Sequence, residues 1–311
     1  MRLARLVSID ITKKCNLQCL HCYNSSGKAD PDAMDADTLR SVVKQIALLH
    51  PHTVCLCGGE PLLYEGLFEL MDILHTEAAQ VSLVTNGLCV TQELAAALKE
   101  HGLDTVQISL DGACAWQHDS LRGTAGAFGS AVCSIRRLKA AGIRQVSVSM
   151  LPDRLTLARP GIAEEYVELC CSLGVTAARF MPFISMGRGA GPGRILQADQ
   201  EEMFRFQKNL ERLKSLYAGR IVLEWDDPVR TCRYLCRKIL EEQELSALCI
   251  MNDGTVKPDI YLPVTLGNVK MSSLEDICGS VYGSRKIRTE LERVLQCIHN
   301  LKDLEEMQCN F

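Results

Sequence analysis

Ile9-Asp-Ile-Thr-Lys-Lys-Cys-Asn-Leu-Gln-Cys-Leu-His-Cys-Tyr23 is the stretch on which the reading of this chain turns. It begins as an apolar strand and ends as a loop carrying Cys15, Cys19 and Cys22 in C-x3-C-x2-C spacing. Three thiolates on one short loop suit three irons of a four-iron, four-sulfur cluster and leave the fourth iron open. Two plainer readings stand beside this one. The triplet could be a zinc site, although no second pair of ligands follows at familiar spacing. It could also be small core residues in a chain that has 16 cysteines.

At 311 residues, 47% hydrophobic and 23% charged, the chain suits one large domain with a small appendage. Its cysteine density falls below that of small disulfide scaffolds, so the thiols read as reduced and partly metal-binding, in a cytoplasmic protein. The first residues contain no apolar h-region, and no later stretch reaches the length of a membrane span. A net charge of -4 carries no nucleic-acid footprint, and Arg285-Lys286-Ile-Arg288 reads as a solvated helix face. Neither a membrane nor a nucleic acid is expected as a partner.

Short β-rich runs alternate with longer amphipathic stretches. The runs are Leu3 to Ile11, Thr53 to Cys57, Gln80 to Thr85, Thr105 to Leu110, Gln145 to Met150 and Ala177 to Met181. Helical patterns lie near 35 to 49, 65 to 77, 91 to 101, 127 to 141 and 160 to 173, several of them closed by glycine. Six such repeats imply an α/β fold with a parallel sheet, either doubly wound or barrel-like. Gly187-Arg-Gly-Ala-Gly-Pro-Gly193 is too rich in glycine for strand or helix and reads as a connection. A helix from Asp199 to Leu216 follows, then a strand from Arg220 to Trp225, a hairpin about Asp253-Gly254, and helices at 272 to 282 and 284 to 299.

Three further motifs fall just after predicted strands: Cys57-Gly58-Gly59-Glu60-Pro61, Thr85-Asn86-Gly87 and Ser109-Leu-Asp-Gly112. Each by itself is an ordinary turn. In this order after the cysteine triplet, they make residues 5 to about 185 resemble the radical S-adenosylmethionine (SAM) enzymes. The resemblance implies a partial (β/α)6 TIM-type barrel, with a [4Fe-4S] cluster on Cys15, Cys19 and Cys22 and SAM on its open iron. It implies that Gly58, Gly59 and Glu60 receive the amine of SAM, and that Asn86, Ser109 and Asp111 contact its ribose and carboxylate. Arg122 matches an arginine that binds the carboxylate, and His21 a ring against the adenine. His21 could equally be a solvent-exposed loop residue.

Residues 220 to 311 resemble the SPASM or twitch extension of peptide-modifying members, in Asn252-Asp-Gly-Thr-Val-Lys-Pro258, Leu266-Gly-Asn-Val269 and Ser273-Leu-Glu-Asp-Ile277. The expected division is a barrel at 1–195, a linking helix at 196–219 and the extension at 220–311. Where the extension normally has a cysteine after its proline, this chain has Asp259, and the later cysteine run is reduced to Cys297 and Cys309. The resemblance therefore leaves open one auxiliary [4Fe-4S] cluster, on Cys232, Cys236, Asp259 and Cys309, or none. Cys249 and Cys278 read as core residues. Cys55 and Cys57 share one strand face and are candidates to donate a hydrogen atom to a substrate radical.

What the resemblance implies is a radical SAM enzyme that cleaves SAM to a 5'-deoxyadenosyl radical and abstracts hydrogen from a ribosomally made peptide. The product would be a thioether or carbon-carbon crosslink, or an epimerised residue. Ferredoxin or flavodoxin would supply electrons. Because the first strand begins near Met1, leader recognition would fall to a separate protein. The alternatives are small-molecule chemistry of a tetrapyrrole-like kind and, in another class, a non-catalytic iron-sulfur structural or sensor protein.

Overall fold

A computed structural model describes residues 5–77 and 79–309, with the side chains of 192, 194 and 309 excepted. The start of the first expected strand, at Leu3, lies outside the described residues. The first β/α repeats are β1 (Leu6–Thr12), α1 (Ala36–Leu48), β2 (Thr53–Gly58), α2 (Leu67–Thr76) and β3 (Gln80–Thr85). Then come α3 (Gln92–Glu100), β4 (Leu103–Ser109), α4 (Ala115–Arg122), α5 (Ala127–Ala140), β5 (Gln145–Met150), α6 (Arg154–Leu157), α7 (Ile162–Leu173) and β6 (Ala177–Phe180). The rest of the chain forms α8 (Gln200–Leu216), β7 (Val222–Trp225), α9 (Pro228–Glu242), β8 (Ala247–Ile250), β9 (Thr255–Lys257), β10 (Gly267–Asn268), α10 (Leu274–Ser280), α11 (Arg285–Cys297) and α12 (Leu301–Cys309).

Packing groups the chain into two compact units. One contains Met1–Lys14, Lys28–Ser82 and Pro228–Phe311; the other contains Cys15–Gly27 and Leu83–Asp227. In the first unit β1 pairs in parallel with β2 and, on its other side, with β8. The pairing with β8 draws a strand from the last quarter of the chain against the first strand. The hairpin expected about Asp253-Gly254 is present as antiparallel β8 and β9, with Gly254 at φ +87° in the left-handed region. Alternation along β1 buries Val7 and Ile9 completely, and Val43 and Ile46 of α1 and Met71 and Leu74 of α2 are equally buried.

In the second unit β4, β5, β6 and β7 pair in parallel, in that order. Val106, Ile108 and Val148 are fully buried along these strands. A row of rings continues the core outward: Tyr166 meets Phe180 edge-on at 5.6 Å, Phe180 meets Phe206 at 5.5 Å, and Phe206 lies 6.2 Å from Trp225. This row fixes α7 and α8 on the sheet.

Several elements depart from the sequence expectation. The Gly187–Ala190 and Pro192–Leu196 stretches, expected as irregular connection, form short 3-10 turns. Residues 228–242, to which no helix was assigned from the sequence, form α9. Its buried side chains Cys232, Leu235, Cys236 and Ile239 repeat at helical spacing after Pro228 at its first residue, so the signal was present. Arg233 on the same helix donates through Nη1 to Leu295 O (2.8 Å) and Ile298 O (2.7 Å), which caps the end of α11. No helix among the described residues is long and apolar enough to cross a membrane.

Asp199 closes a capping box on α8, accepting from Glu202 N–H at 2.7 Å while Glu202 Oε2 accepts from Asp199 N–H at 2.9 Å. The Asp199→Ala variant is expected to lose about 1 kcal/mol of stability in urea unfolding.

Candidate active site

The cysteine loop lies wholly in the second unit, and each of its three sulfurs receives an N–H donor. Cys15 Sγ accepts from Leu17 N–H at 3.4 Å and from Asn86 Nδ2 at 3.8 Å; Cys22 Sγ accepts from Ser26 N–H at 3.3 Å. Cys19 Sγ lies 3.7 Å from Arg122 Nη1. Donors aimed at sulfur favour the thiolate, the form that binds iron. Burial works the other way at Cys19 and raises its pKa, with Arg122 as the opposing influence. Among the described residues no three His, Cys, Asp or Glu side chains converge where a single metal ion could sit. Three soft thiolate donors with N–H groups aimed at their sulfurs are a set that fits an iron-sulfur cluster.

Asn86 and Asp111 sit at successive strand ends, as expected, and each ties the loop to the sheet. Asn86 Nδ2 also donates to Asn16 Oδ1 at 2.7 Å, one residue after Cys15. Arg122, expected to meet a carboxylate, meets one inside the protein: its Nε and Nη2 reach Asp111 Oδ2 at 2.6 and 2.5 Å. Burial alone would raise the Asp111 pKa, but Arg122 holds it below the ordinary carboxylate value. Asp111 Oδ1 accepts from Leu151 N–H at 3.0 Å, and the Asp111 N–H donates to His118 Nδ1 at 2.9 Å. The neutral His118 ring therefore carries its proton on Nε2. His118 has no role assigned from the sequence; its four-residue spacing from Arg122, on one face of α4, was the signal. Ser109 is buried at the end of β4, and His21 is half-buried with Nδ1 enclosed and unpartnered, so it is not an exposed loop residue.

The glycine-rich segment after β6 clasps the cysteine loop, a role that sequence reasoning missed. A Cβ on Gly187 would overlap Tyr23 O, and one on Gly193 would overlap Leu20 O. Between them Arg188 donates through Nε to Cys19 O at 2.9 Å and through Nη1 to Ser26 O at 2.5 Å, and its N–H donates to Cys22 O at 3.0 Å. One arginine thus spans the loop from its second cysteine to a point beyond its third.

In the first unit, Gly58 at φ +125° and Gly59 would carry Cβ atoms into Thr12 O and Lys14 O respectively. The chain needs both glycines so that β2 can end hard against the irregular end of β1. Glu60 is fully buried, and its Oε1 accepts from Leu62 N–H at 3.2 Å. Cys55 and Cys57 lie on one face of β2, opposite Ser8 and Asp10 of β1, and the Cys57 thiol is 3.4 Å from Asp10 Oδ1.

Of the auxiliary ligands expected from the sequence, Cys232 and Cys236 lie on α9, Asp259 follows β9 and Cys309 ends α12. Cys232 and Cys236 lie one turn apart on α9 and are buried, as are Leu235 and Ile239 of the same helix, and burial pushes the Cys236 thiol up to about 12. Asp259 accepts from Tyr261 N–H at 2.9 Å and has Cys249 and Lys257 as electrostatic neighbours. The Cys309 side chain lies outside the described residues. Cys249 and Cys278 are buried, as expected of core residues.

Strand-end motifs around a thiol triplet on an α/β scaffold define an iron-sulfur class of protein. The chain belongs to the radical SAM superfamily, whose family model matches residues 9–165. Members of the superfamily use a [4Fe-4S] cluster and SAM. The mycofactocin maturase MftC of Mycobacterium tuberculosis is 34% identical over 180 residues, covering 58% of this chain and 45% of that protein. The chain thus spans under half the length of this curated relative. The AdoMet-dependent heme synthase of Methanosarcina barkeri is 26% identical over 319 residues, covering 94% of this chain and 87% of that protein. SuiB of Streptococcus suis, solved bound to S-adenosylmethionine, superposes with a TM-score of 0.70 at 14% identity, covering 92% of this chain and 67% of that one. That likeness shows the shared fold, the partial barrel expected from the sequence.

Arg188→Ala removes two charged hydrogen bonds from the loop, each worth roughly 1.5–3 kcal/mol. Iron and sulfide analysis after anaerobic reconstitution is expected to find a marked loss of bound iron, and Gly193→Ala the same. A second expectation concerns pH. Burial lowers the His118 pKa to about 4 from 6.5, so below pH 6.5 the unfolded chain takes up a proton that the folded chain refuses. Stability is therefore expected to fall by about 3 kcal/mol between pH 7 and pH 4. Thermal melts of the apoprotein, compared with His118→Gln, check that slope, which the variant should flatten.

Proposed function

We propose that this protein is a radical SAM enzyme that abstracts a hydrogen atom from a ribosomally synthesised peptide, as a maturase. The reading is carried by the 34% identity to a maturase through the barrel. The SPASM-like traces between Asn252 and Ile277 support it. When bound, the cluster and SAM supply one-electron chemistry that removes a hydrogen atom from an unactivated carbon and leaves 5'-deoxyadenosine. Cys15, Cys19 and Cys22 hold the cluster, and Arg188 keeps their loop in shape. Glu60, Asn86 and Ser109 orient SAM, with His21 beside its adenine. Burial of Cys19 keeps water from its sulfur. Where the product is an epimer, Cys55 or Cys57 is the proposed hydrogen donor. A ferredoxin or flavodoxin as reductant, a separate leader-recognition protein and a cytoplasmic setting belong to the same proposal.

A second reading is favoured by the heme synthase, which aligns over nearly the whole chain and most of its own length. On that reading the substrate is a tetrapyrrole bearing oxidisable side chains.

The test is anaerobic incubation of reconstituted protein with SAM, dithionite and either a precursor peptide or a carboxylated porphyrin. We expect 5'-deoxyadenosine, increased by the peptide and accompanied by a change in peptide mass. Stimulation by porphyrin alone would move the assignment to the second reading. An intact cluster without 5'-deoxyadenosine would sink both.

A further inference from the structure

A buried pair of opposite charges lies beside Cys19. Asp111 and Arg122 are 2% and 9% exposed, and Cys19 is 6% exposed. Two of the Arg122 donors are committed to Asp111, while Nη1 lies 3.7 Å from the Cys19 sulfur. Neither partner can swing away. Asp111 is fixed from three directions, through Oδ1 to Leu151 N–H, through its own N–H to His118 and through Oδ2 to Arg122. Arg122 ends α4, beside Gly123 at φ +70°, and the preceding residue accepts Leu20 N–H through Leu121 O at 3.3 Å. The backbone of the cysteine loop is therefore fastened to the same helical turn that carries the guanidinium, so the separation of Arg122 from Cys19 is built in.

We infer that the Asp111–Arg122 pair sets the reduction potential of the cluster through Cys19. The inference deepens the proposed function and rests on Cys19 being a cluster ligand. One-electron reduction adds a negative charge to the cluster and its thiolates. A cation beside a ligand sulfur stabilises that charge and raises the potential; an anion lowers it. In a buried setting neither effect is screened as it would be in water. Arg122 is the partner nearer the sulfur, so its effect dominates, and Asp111 holds it in place while attenuating it. Arg188 is the other cation at this ligand, but it faces the Cys19 carbonyl. The role is distinct from gripping the carboxylate of SAM, because it acts before SAM binds.

The test is a redox titration of the anaerobically reconstituted cluster, followed by electron paramagnetic resonance without SAM. Relative to the native chain, the midpoint should move to more negative potential in Arg122→Gln and to less negative potential in Asp111→Asn. Arg122→Lys, which keeps the charge, should lie closer to the native value than Arg122→Gln. A shift of both single variants in the same direction, or no shift with the cluster intact, would overturn the inference. If Arg122→Gln fails to take up iron, Asp111→Asn still reports the sign. Failure of all three to assemble a cluster would assign the pair to folding and overturn it as well. The native protein separates this from the broader reading: a titratable cluster that yields no 5'-deoxyadenosine would sink the enzymatic assignment alone.

Discussion

Three thiolates gathered on one loop of eight residues repel one another, and the loop has no regular secondary structure of its own to resist the strain. The chain answers with donors brought from four places. Backbone N–H groups of Leu17 and Ser26 come from the loop and the residues just after it, Asn86 from the end of β3, Arg122 from the end of α4 and Arg188 from the segment after β6. Much of the second unit can be understood as what places those donors. The ring packing from Tyr166 to Trp225 holds β6 and α8 firmly. The glycine segment between them can then turn back over the loop without a side chain in its way.

The same requirement explains why buried charge is present at all. An arginine taken out of water is costly unless it is paired and hydrogen-bonded, and Arg122 has both forms of compensation in Asp111. Asp111 in turn links the end of β4 to the residue after β5 through Leu151. A single carboxylate thus joins strand order to the electrostatics of the cysteine loop. His118 completes the arrangement by accepting the Asp111 N–H, which it can do only as a neutral ring; burial ensures that neutrality.

Much of this architecture was legible from period and position. The β/α alternation through Phe180, the Asp199 cap and the Asp253-Gly254 hairpin are local patterns, and local patterns survive in sequence. Pairings between distant segments do not. Nothing in Ala247 to Ile250 says that it will pair with β1, because that choice depends on which edge is offered when the rest has folded. α9 shows a different failure. Its helical period is present, but spacing of four residues between Cys232 and Cys236 serves a buried helix face as well as a metal site.

Gly58 and Gly59 show why a correct motif can be matched for an incomplete reason. The resemblance makes them part of a cradle for SAM, and open backbone beside a cofactor is sound chemistry. In the structure, however, side chains there are already excluded by Thr12 O and Lys14 O, so the chain would need both glycines even if no cofactor ever approached. Close approach of β2 to β1 sets where Thr12, Lys13 and Lys14 lead, and Cys15 is the next residue. The glycines therefore help to set the backbone from Thr12 to Lys14, whatever they contribute to binding. That is a reason, rooted in backbone sterics alone, for a glycine pair one strand later to accompany a cysteine triplet at the end of the first.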